Sequence, residues 1–384
     1  MIIDSANRLN QTAEYYFSRK LKEVRALAAQ GKPIINMGIG SPDLPPPPHV
    51  IEALTNSLVD GPAHQYQSYK GLPELTAAMS TFYENQYGVK LDAESEILPL
   101  MGSKEGIMHI SMAFLNPGDE VLIPNPGYPT YTSVTRLVEA EPVYYNLDAS
   151  NNWMPDYDAL AQRDLSKVKL MWVNYPHMPT GAKATKADFE NLIAFAKANQ
   201  ILLVNDNPYS FILNENPQSI LAVEGAKDVA IELNSLSKSF NMSGWRVGML
   251  LGASDYINTV LTVKSNMDSG MFYGIQKGAA AVLKEGKEWF DSLNTVYQKR
   301  RELAWQLADL LNCEYSKDTA GMFVWAKLPE GAGDAEAFID DILINKSIFI
   351  TPGSIFGSQG AGYIRFSLCV TEDKIKEAIS RLKN

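Results

Sequence analysis

The run Ser235-Leu-Ser-Lys-Ser-Phe-Asn-Met-Ser-Gly-Trp-Arg246 places one lysine, Lys238, between two serines and eight residues ahead of an arginine. A lysine is a hydrated cation at neutral pH. It becomes a nucleophile only where desolvation or a neighbouring charge lowers its proton affinity. The hydroxyls of Ser235 and Ser237, with the Arg246 guanidinium, make the kind of cradle that holds a phosphate. A lysine beside such a cradle can anchor a phosphorylated aldehyde covalently, as in a pyridoxal-phosphate Schiff base. The same residues also suit a polar loop with an ordinary surface lysine, and this segment alone leaves both readings open.

Other segments carry residue types with chemical uses. Asp206 ends Ile201-Leu-Leu-Val-Asn-Asp206, the most apolar strand-like run of the chain. A carboxylate there is costly to bury alone, so it either caps a turn or holds a cationic ligand atom such as a protonated pyridine nitrogen. Tyr209, three residues on, could reach the same ligand. Gly102-Ser-Lys-Glu-Gly106 follows an apolar run and opens a helical pattern. Free N–H groups at such a start favour a phosphate, although for this segment alone a simple cap by Ser103 is the better explanation. Tyr128, in Pro126-Gly-Tyr-Pro129, could stack on a flat ring or could simply pack. Arg365 sits among apolar neighbours in Tyr363-Ile-Arg-Phe-Ser-Leu368, which suits bidentate capture of a carboxylate or an internal ion pair.

Several chemistries are excluded. Gly38-Ile-Gly40 has Asp43 where a dinucleotide-binding turn needs its third glycine, and no GxxxxGK[ST] or GxSxG occurs. His49, His64, His109 and His177 have no metal spacing, so no metal is expected. A net charge of −10 argues against nucleic acid and anionic membrane as partners. Two cysteines, Cys313 and Cys369, make no framework and read as buried thiols of a reducing compartment. The N-terminus has no signal-peptide pattern and no apolar run is long enough to span a bilayer, so a cytoplasmic location is expected.

These residues need elements to position them. At 384 residues, with 46% apolar and 20% charged side chains, the chain can build a large domain with a smaller satellite. After the extended Pro45–Pro48 arm, helices are expected at about 49–58, 73–87, 103–115 and 186–199. Strands are expected at 96–101, 120–124, 142–145, 168–174, 201–206, 229–234 and 247–251. That alternation predicts an α/β fold with a mainly parallel sheet covered on both faces, its ligands collecting at the carboxyl ends of the strands. From Ser254 long helical patterns run to about 312. Strands at 322–327, 348–351 and 363–368 and a terminal helix follow, an α+β pattern. The expected division is an N-terminal arm with part of the small domain over 1–45, a large domain over 46–280 and a small domain over 281–384.

Together, these segments resemble the fold-type I pyridoxal-phosphate-dependent aminotransferases of class I/II, in order and spacing, from about Ile39 to Leu368. Within that family, Pro42-Asp-Leu-Pro-Pro-Pro, Leu98-Pro-Leu-Met-Gly-Ser-Lys-Glu-Gly-Ile107, Gly225-Ala-Lys-Asp-Val229 and Lys264-Ser-Asn-Met-Asp-Ser-Gly270 are most similar to the LL-diaminopimelate aminotransferase branch. The resemblance implies a seven-stranded, mainly parallel sheet flanked by helices, with a smaller α+β domain. It implies pyridoxal 5'-phosphate anchored by Lys238, which also moves the substrate proton. Asp206 would face the ring nitrogen, Tyr209 the ring O3', and Tyr128 the ring face. Ser103, Lys104, Ser235, Ser237 and Arg246 would hold the phosphate, and Tyr66 would reach the phosphate of a neighbouring subunit in a homodimer. Arg365 and Gly40 would bind the substrate carboxylate, and Tyr15 would line the entrance.

One position departs from the pattern. The family's turn usually reads Asn-Pro-Thr-Gly, and that asparagine donates to O3'. Here Met178 stands in its place and cannot donate; His177 or Asn174 are the candidates to substitute. The implied activity is transfer of an amino group between an amino acid and a 2-oxo acid, with 2-oxoglutarate as acceptor and LL-diaminopimelate or aspartate among the donors. A C–S lyase or decarboxylase on the same fold is the alternative. A cofactor-sensing regulator ranks last, because the first 40 residues are too short and not basic enough for a DNA-binding segment.

Overall fold

The computed structural model describes residues 3–10 and 16–384. A two-residue strand, β1 (Ile35–Asn36), precedes the sheet strands β2 (Ile97–Leu100), β3 (Glu120–Asn125), β4 (Glu141–Asn146), β5 (Val168–Val173), β6 (Leu202–Asp206), β7 (Ala230–Ser235) and β8 (Gly248–Gly252). They form one seven-stranded sheet in the order β2-β8-β7-β6-β5-β3-β4. Only β8 runs against its neighbours. In β5, Leu170 and Trp172 join the apolar cluster that includes Ile107 and Ile110, while Met171 and Val173 join the opposite one with Phe189 and Leu192. Burial on both faces explains why these strands read as unbroken apolar runs; each such side chain contributes about 1.5–3 kcal/mol.

The flanking helices start where the backbone is preset for them. Pro48, Pro73 and Pro129 occupy the first positions of Pro48–Ser57, Pro73–Tyr87 and Pro129–Leu137, where the missing N–H costs nothing. Helix Lys186–Asn199 begins with a capping box: Thr185 Oγ1 accepts from the Asp188 N–H, and the Asp188 carboxylate accepts from the Thr185 N–H.

The chain beyond Ser254 forms helices Ser254–Lys264, Tyr273–Val282 and Lys287–Leu310. It then builds a four-stranded antiparallel sheet from β9 (Glu314–Tyr315), β10 (Phe323–Lys327), β12 (Thr351–Pro352) and β13 (Tyr363–Ser367), in the order β12-β13-β10-β9. The short strand β11 (Ile348–Phe349) pairs in parallel with β1. Ile35 and Met37 therefore share a core with Leu307, Ile364 and Phe366 of the C-terminal part. The single strand expected at 348–351 is broken at Ile350, because its two ends serve different sheets. The two cysteines are free and buried. Among the described residues no helix is long and apolar enough to cross a membrane.

Candidate active site

The order of the sheet creates a crevice. From β3 the chain turns outward to β4, whereas β5, β6 and β7 are laid down on its other side, so the loops leaving β3 and β5 diverge at their carboxyl ends. A pocket of about 390 Å3 opens there and is closed by the small antiparallel sheet. Gly40, Ser103, Lys104, Tyr128, Asp206, Tyr209, Ser235, Ser237, Lys238, Arg246 and Arg365 all line it. Tyr66 does not line it; it is 91% exposed on the surface. Tyr15 lies outside the described residues. A larger groove of about 1610 Å3 elsewhere is lined by a mixture of acids and bases and holds none of these groups.

One end of the pocket suits an oxyanion. Gly102, at φ +91°, turns the chain into helix Ser103–Phe114, so the helix points its first N–H groups, which have no acceptor within the helix, and the positive end of its dipole this way. A Cβ on Gly102 would sit 2.1 Å from Arg246 Nη2, and one on Gly248 would sit 2.7 Å from the Ser103 nitrogen. Both glycines therefore keep the cup open. Sequence reading missed Gly248, whose need arises only from this cross-strand approach. Arg246 Nη1 donates to the Ser243 carbonyl at 2.9 Å and reaches Ser237 Oγ at 3.5 Å. Ser235 Oγ donates to Ser237 Oγ at 2.9 Å. Helix Ser103–Phe114 has no side-chain cap at its start, so the simple capping role for Ser103 is set aside.

At the other end Asp206 is buried where β6 stops. Its Oδ2 accepts from Tyr131 OH at 2.9 Å, and no donor among the described residues reaches Oδ1. Tyr131 is held by stacking on Trp172, with ring centroids 4.7 Å apart. Sequence reading also missed Tyr131, because nothing local links it to Asp206. Burial raises the Asp206 carboxyl to about 6, with Glu232 pushing the same way and Tyr131 and Lys238 opposing. A buried carboxylate oxygen in this state is matched by a cationic N–H, so the donor set fits a protonated pyridine ring with its phosphate in the Arg246 cup.

Lys238 Nζ donates to the Gly40 carbonyl. Burial lowers its proton affinity, and the Arg365 and Arg246 guanidinium groups add to that. A neutral amine is the form that adds to a carbonyl. Burial raises the Tyr209 phenol, so it keeps its proton and stays a donor. Arg365 lies in β13 between the faces of Phe323 and Phe356, with Cζ 3.9 and 4.7 Å from their centroids. Its Nη2 donates to the Gly38 carbonyl at 2.8 Å, and Nη1 approaches Met178 Sδ at 3.3 Å. The side chains of both candidate substitutes for the missing asparagine already have partners. The Asn174 amide donates to the Asp206 carbonyl, and its oxygen accepts from Met178 N–H. His177 Nδ1 pairs with Thr180 Oγ1 at 2.8 Å, and the ring does not line the pocket.

The Asp206 shift has a consequence in the cofactor-free protein. Its folded value, about 6, lies above its ordinary 3.8, so the native chain keeps a proton that the unfolded chain releases. That contribution to stability is complete below about pH 4 and is lost as pH rises through about 6; it is on the order of 3 kcal/mol. Asp206→Asn should therefore gain stability relative to wild type as pH goes from 4 to 7, read by urea unfolding. A constant difference across that range would refute the assignment.

The family model described as aminotransferase class I and II matches residues 32–382. The LL-diaminopimelate aminotransferase of Nitratidesulfovibrio vulgaris is 39% identical over 382 residues, covering 99% of this chain and 98% of that relative. The enzyme of the same name from Halothermothrix orenii is 40% identical over 384 residues, covering 100% and 98%. Among solved structures, BacF from Bacillus subtilis superposes with a TM-score of 0.95 at 35% identity, covering 99% of this chain and 98% of that one. An aminotransferase from Staphylococcus aureus superposes with a TM-score of 0.90 at 33% identity, covering 98% of each. With this match in sequence and fold, the chain belongs to the aminotransferase class I and II family and is a pyridoxal-phosphate-dependent transaminase of fold type I.

Proposed function

We propose that this enzyme transfers the amino group of LL-diaminopimelate, or of a related amino acid such as aspartate, to 2-oxoglutarate. When bound, pyridoxal phosphate supplies a carbonyl that carries the amino group and a ring that accepts the electron pair released at the substrate Cα. The chain's residues do the rest. Lys238 Nζ would anchor the cofactor and, once the substrate amine displaces it and sets the neutral amine free, would carry the proton between the substrate Cα and the cofactor carbon. Asp206 Oδ1 accepts from the ring N–H. Tyr209 donates to the ring oxygen, and Tyr128 covers the ring face. Ser103, Lys104, Ser235, Ser237 and Arg246 hold the phosphate, while Arg365 and the Gly40 backbone hold the substrate carboxylate. Tyr15 belongs at the entrance in this reading.

The observation that carries the reading is the pocket that brings together a depressed lysine, a buried carboxylate with an open oxygen and a buried arginine. The names of the relatives support the donor. The exposure of Tyr66, and of the large apolar side chains Tyr69, Met267 and Phe272, supports a homodimer in which Tyr66 completes the neighbour's phosphate site. A cytoplasmic location and domains over 1–45, 46–280 and 281–384 complete the proposal.

The test is spectroscopic. The loaded protein is mixed with LL-diaminopimelate, aspartate, alanine or methionine separately, without an oxo acid. The absorbance band of the anchored cofactor should fall with LL-diaminopimelate and return on adding 2-oxoglutarate. A band that persists while pyruvate, ammonia or CO2 accumulates would replace the reading with a lyase or decarboxylase.

A further inference from the structure

Glu232 lies in β7 with no exposed surface, paired in register with Asn205 of β6. Side chains alternate along a strand, so Glu232 projects from the opposite face of the sheet to the side chain of Asp206, the next residue of β6. Its Oε1 accepts from Tyr83 OH at 2.8 Å and from Ser219 Oγ at 2.9 Å. Its Oε2 accepts from Asn205 Nδ2 at 2.9 Å and from Ile220 N–H at 3.1 Å.

The directions of these bonds bear on its charge. Tyr83 OH already accepts from Asn234 Nδ2 at 2.9 Å, and Ser219 Oγ accepts from Leu221 N–H at 3.2 Å. Each hydroxyl proton is thus left to point at Glu232, the acceptor within reach. Burial raises the proton affinity of the Glu232 carboxyl, and the four donors on its two oxygens oppose that rise by favouring the carboxylate. No lysine or arginine pairs with it among the described residues. A buried anion with hydrogen bonds but no countercharge is an expensive arrangement to keep. The countercharge must come from elsewhere, and the site a cation can reach is the open oxygen of Asp206.

The network also touches both halves of the site. Asn205 immediately precedes Asp206, and its Oδ1 accepts from Tyr175 N–H at 3.2 Å. Asn234 Oδ1 accepts from Ser235 N–H at 2.7 Å, at the start of the turn that carries Lys238.

We propose that Glu232 is a positioning residue of this transaminase: a fixed anion behind Asp206 that favours the protonated ring nitrogen and ties Asp206 to the Ser235–Lys238 turn. The inference rests on the reading in which Asp206 faces that nitrogen. Glu232 raises the proton affinity of Asp206 in the cofactor-free chain, and a cation at Asp206 answers both carboxylates.

The experiment loads the enzyme with cofactor carrying 15N in the ring and reads that nitrogen by NMR from pH 6 to 9. The proteins are wild type, Glu232→Gln and Tyr83→Phe. Glutamine keeps the shape and removes the charge; Tyr83→Phe keeps the charge and removes one bond. Wild type should show a protonated nitrogen. Glu232→Gln should bind the cofactor yet hold that proton about tenfold less tightly. Tyr83→Phe should leave the nitrogen protonated while lowering the melting temperature. If Glu232→Gln alone folds poorly, Glu232→Gln/Tyr83→Phe removes the hydroxyl proton that would face the new amide and is read the same way. A ring nitrogen equally protonated in the Gln variants and wild type overturns the inference. A neutral nitrogen in wild type overturns the Asp206 assignment and the inference with it.

Discussion

Replacing Lys238 by alanine should lower turnover by about 10^4-fold or more, the upper range for losing a positioned proton carrier. Loss of the covalent anchor comes in addition. The phosphate cup at Gly102, Ser103 and Arg246 and the open Asp206 oxygen do not depend on the lysine, so the variant should still bind pyridoxal phosphate. After borohydride reduction the loaded wild type should keep the mass of the cofactor, and the variant should not. Lys238→Arg should be no better than alanine, because a guanidinium stays charged and cannot add to a carbonyl. Turnover within tenfold of wild type in Lys238→Ala would remove this lysine from the chemistry.

Arg365→Leu should lower kcat/KM by about 30- to 5,000-fold, the equivalent of the 2–5 kcal/mol typical of losing one partner of a buried, hydrogen-bonded charge pair. The loss should appear for every α-amino acid donor and for the oxo-acid acceptor, because the group recognised is the shared carboxylate. The Arg365→Lys variant would keep the charge against the Phe323 and Phe356 rings but lose the two-pronged geometry, so most of the defect should persist. Steady-state kinetics with two unrelated donors checks this. A defect confined to one donor would place Arg365 in side-chain recognition instead.

The reactive centre was legible because polar residues interrupt apolar strand ends. Asp206 after Ile201–Asn205 and Ser235 after Val229–Asn234 stand out in the chain itself, and both line the pocket. Helix starts were legible for a similar local reason: Pro73, and Thr185 with Asp188, carry their signals within one turn. What was not legible lies in contacts between distant positions. Tyr131 meets Asp206 across 75 residues, Tyr83 meets Glu232 across 149, and Met178 meets Arg365 across 187. In each pair the contact itself has no local signal, because only the folded chain brings the two positions together. The long helical patterns expected from Ser254 to about 312 resolve into three helices, with breaks before Tyr273 and at 283–286.

Arg246 holds its guanidinium in the cup from a left-handed backbone, φ 57°, facing a glycine that is itself at φ +91°. A non-glycine residue in that region costs on the order of 1–3 kcal/mol, and asparagine tolerates it better than arginine. Selection for heat resistance in the cofactor-free chain would therefore drift away from arginine at this position, and the same drift would dismantle the phosphate cup. Stability engineering of this enzyme has to be carried out with the cofactor bound, where the two pressures point the same way.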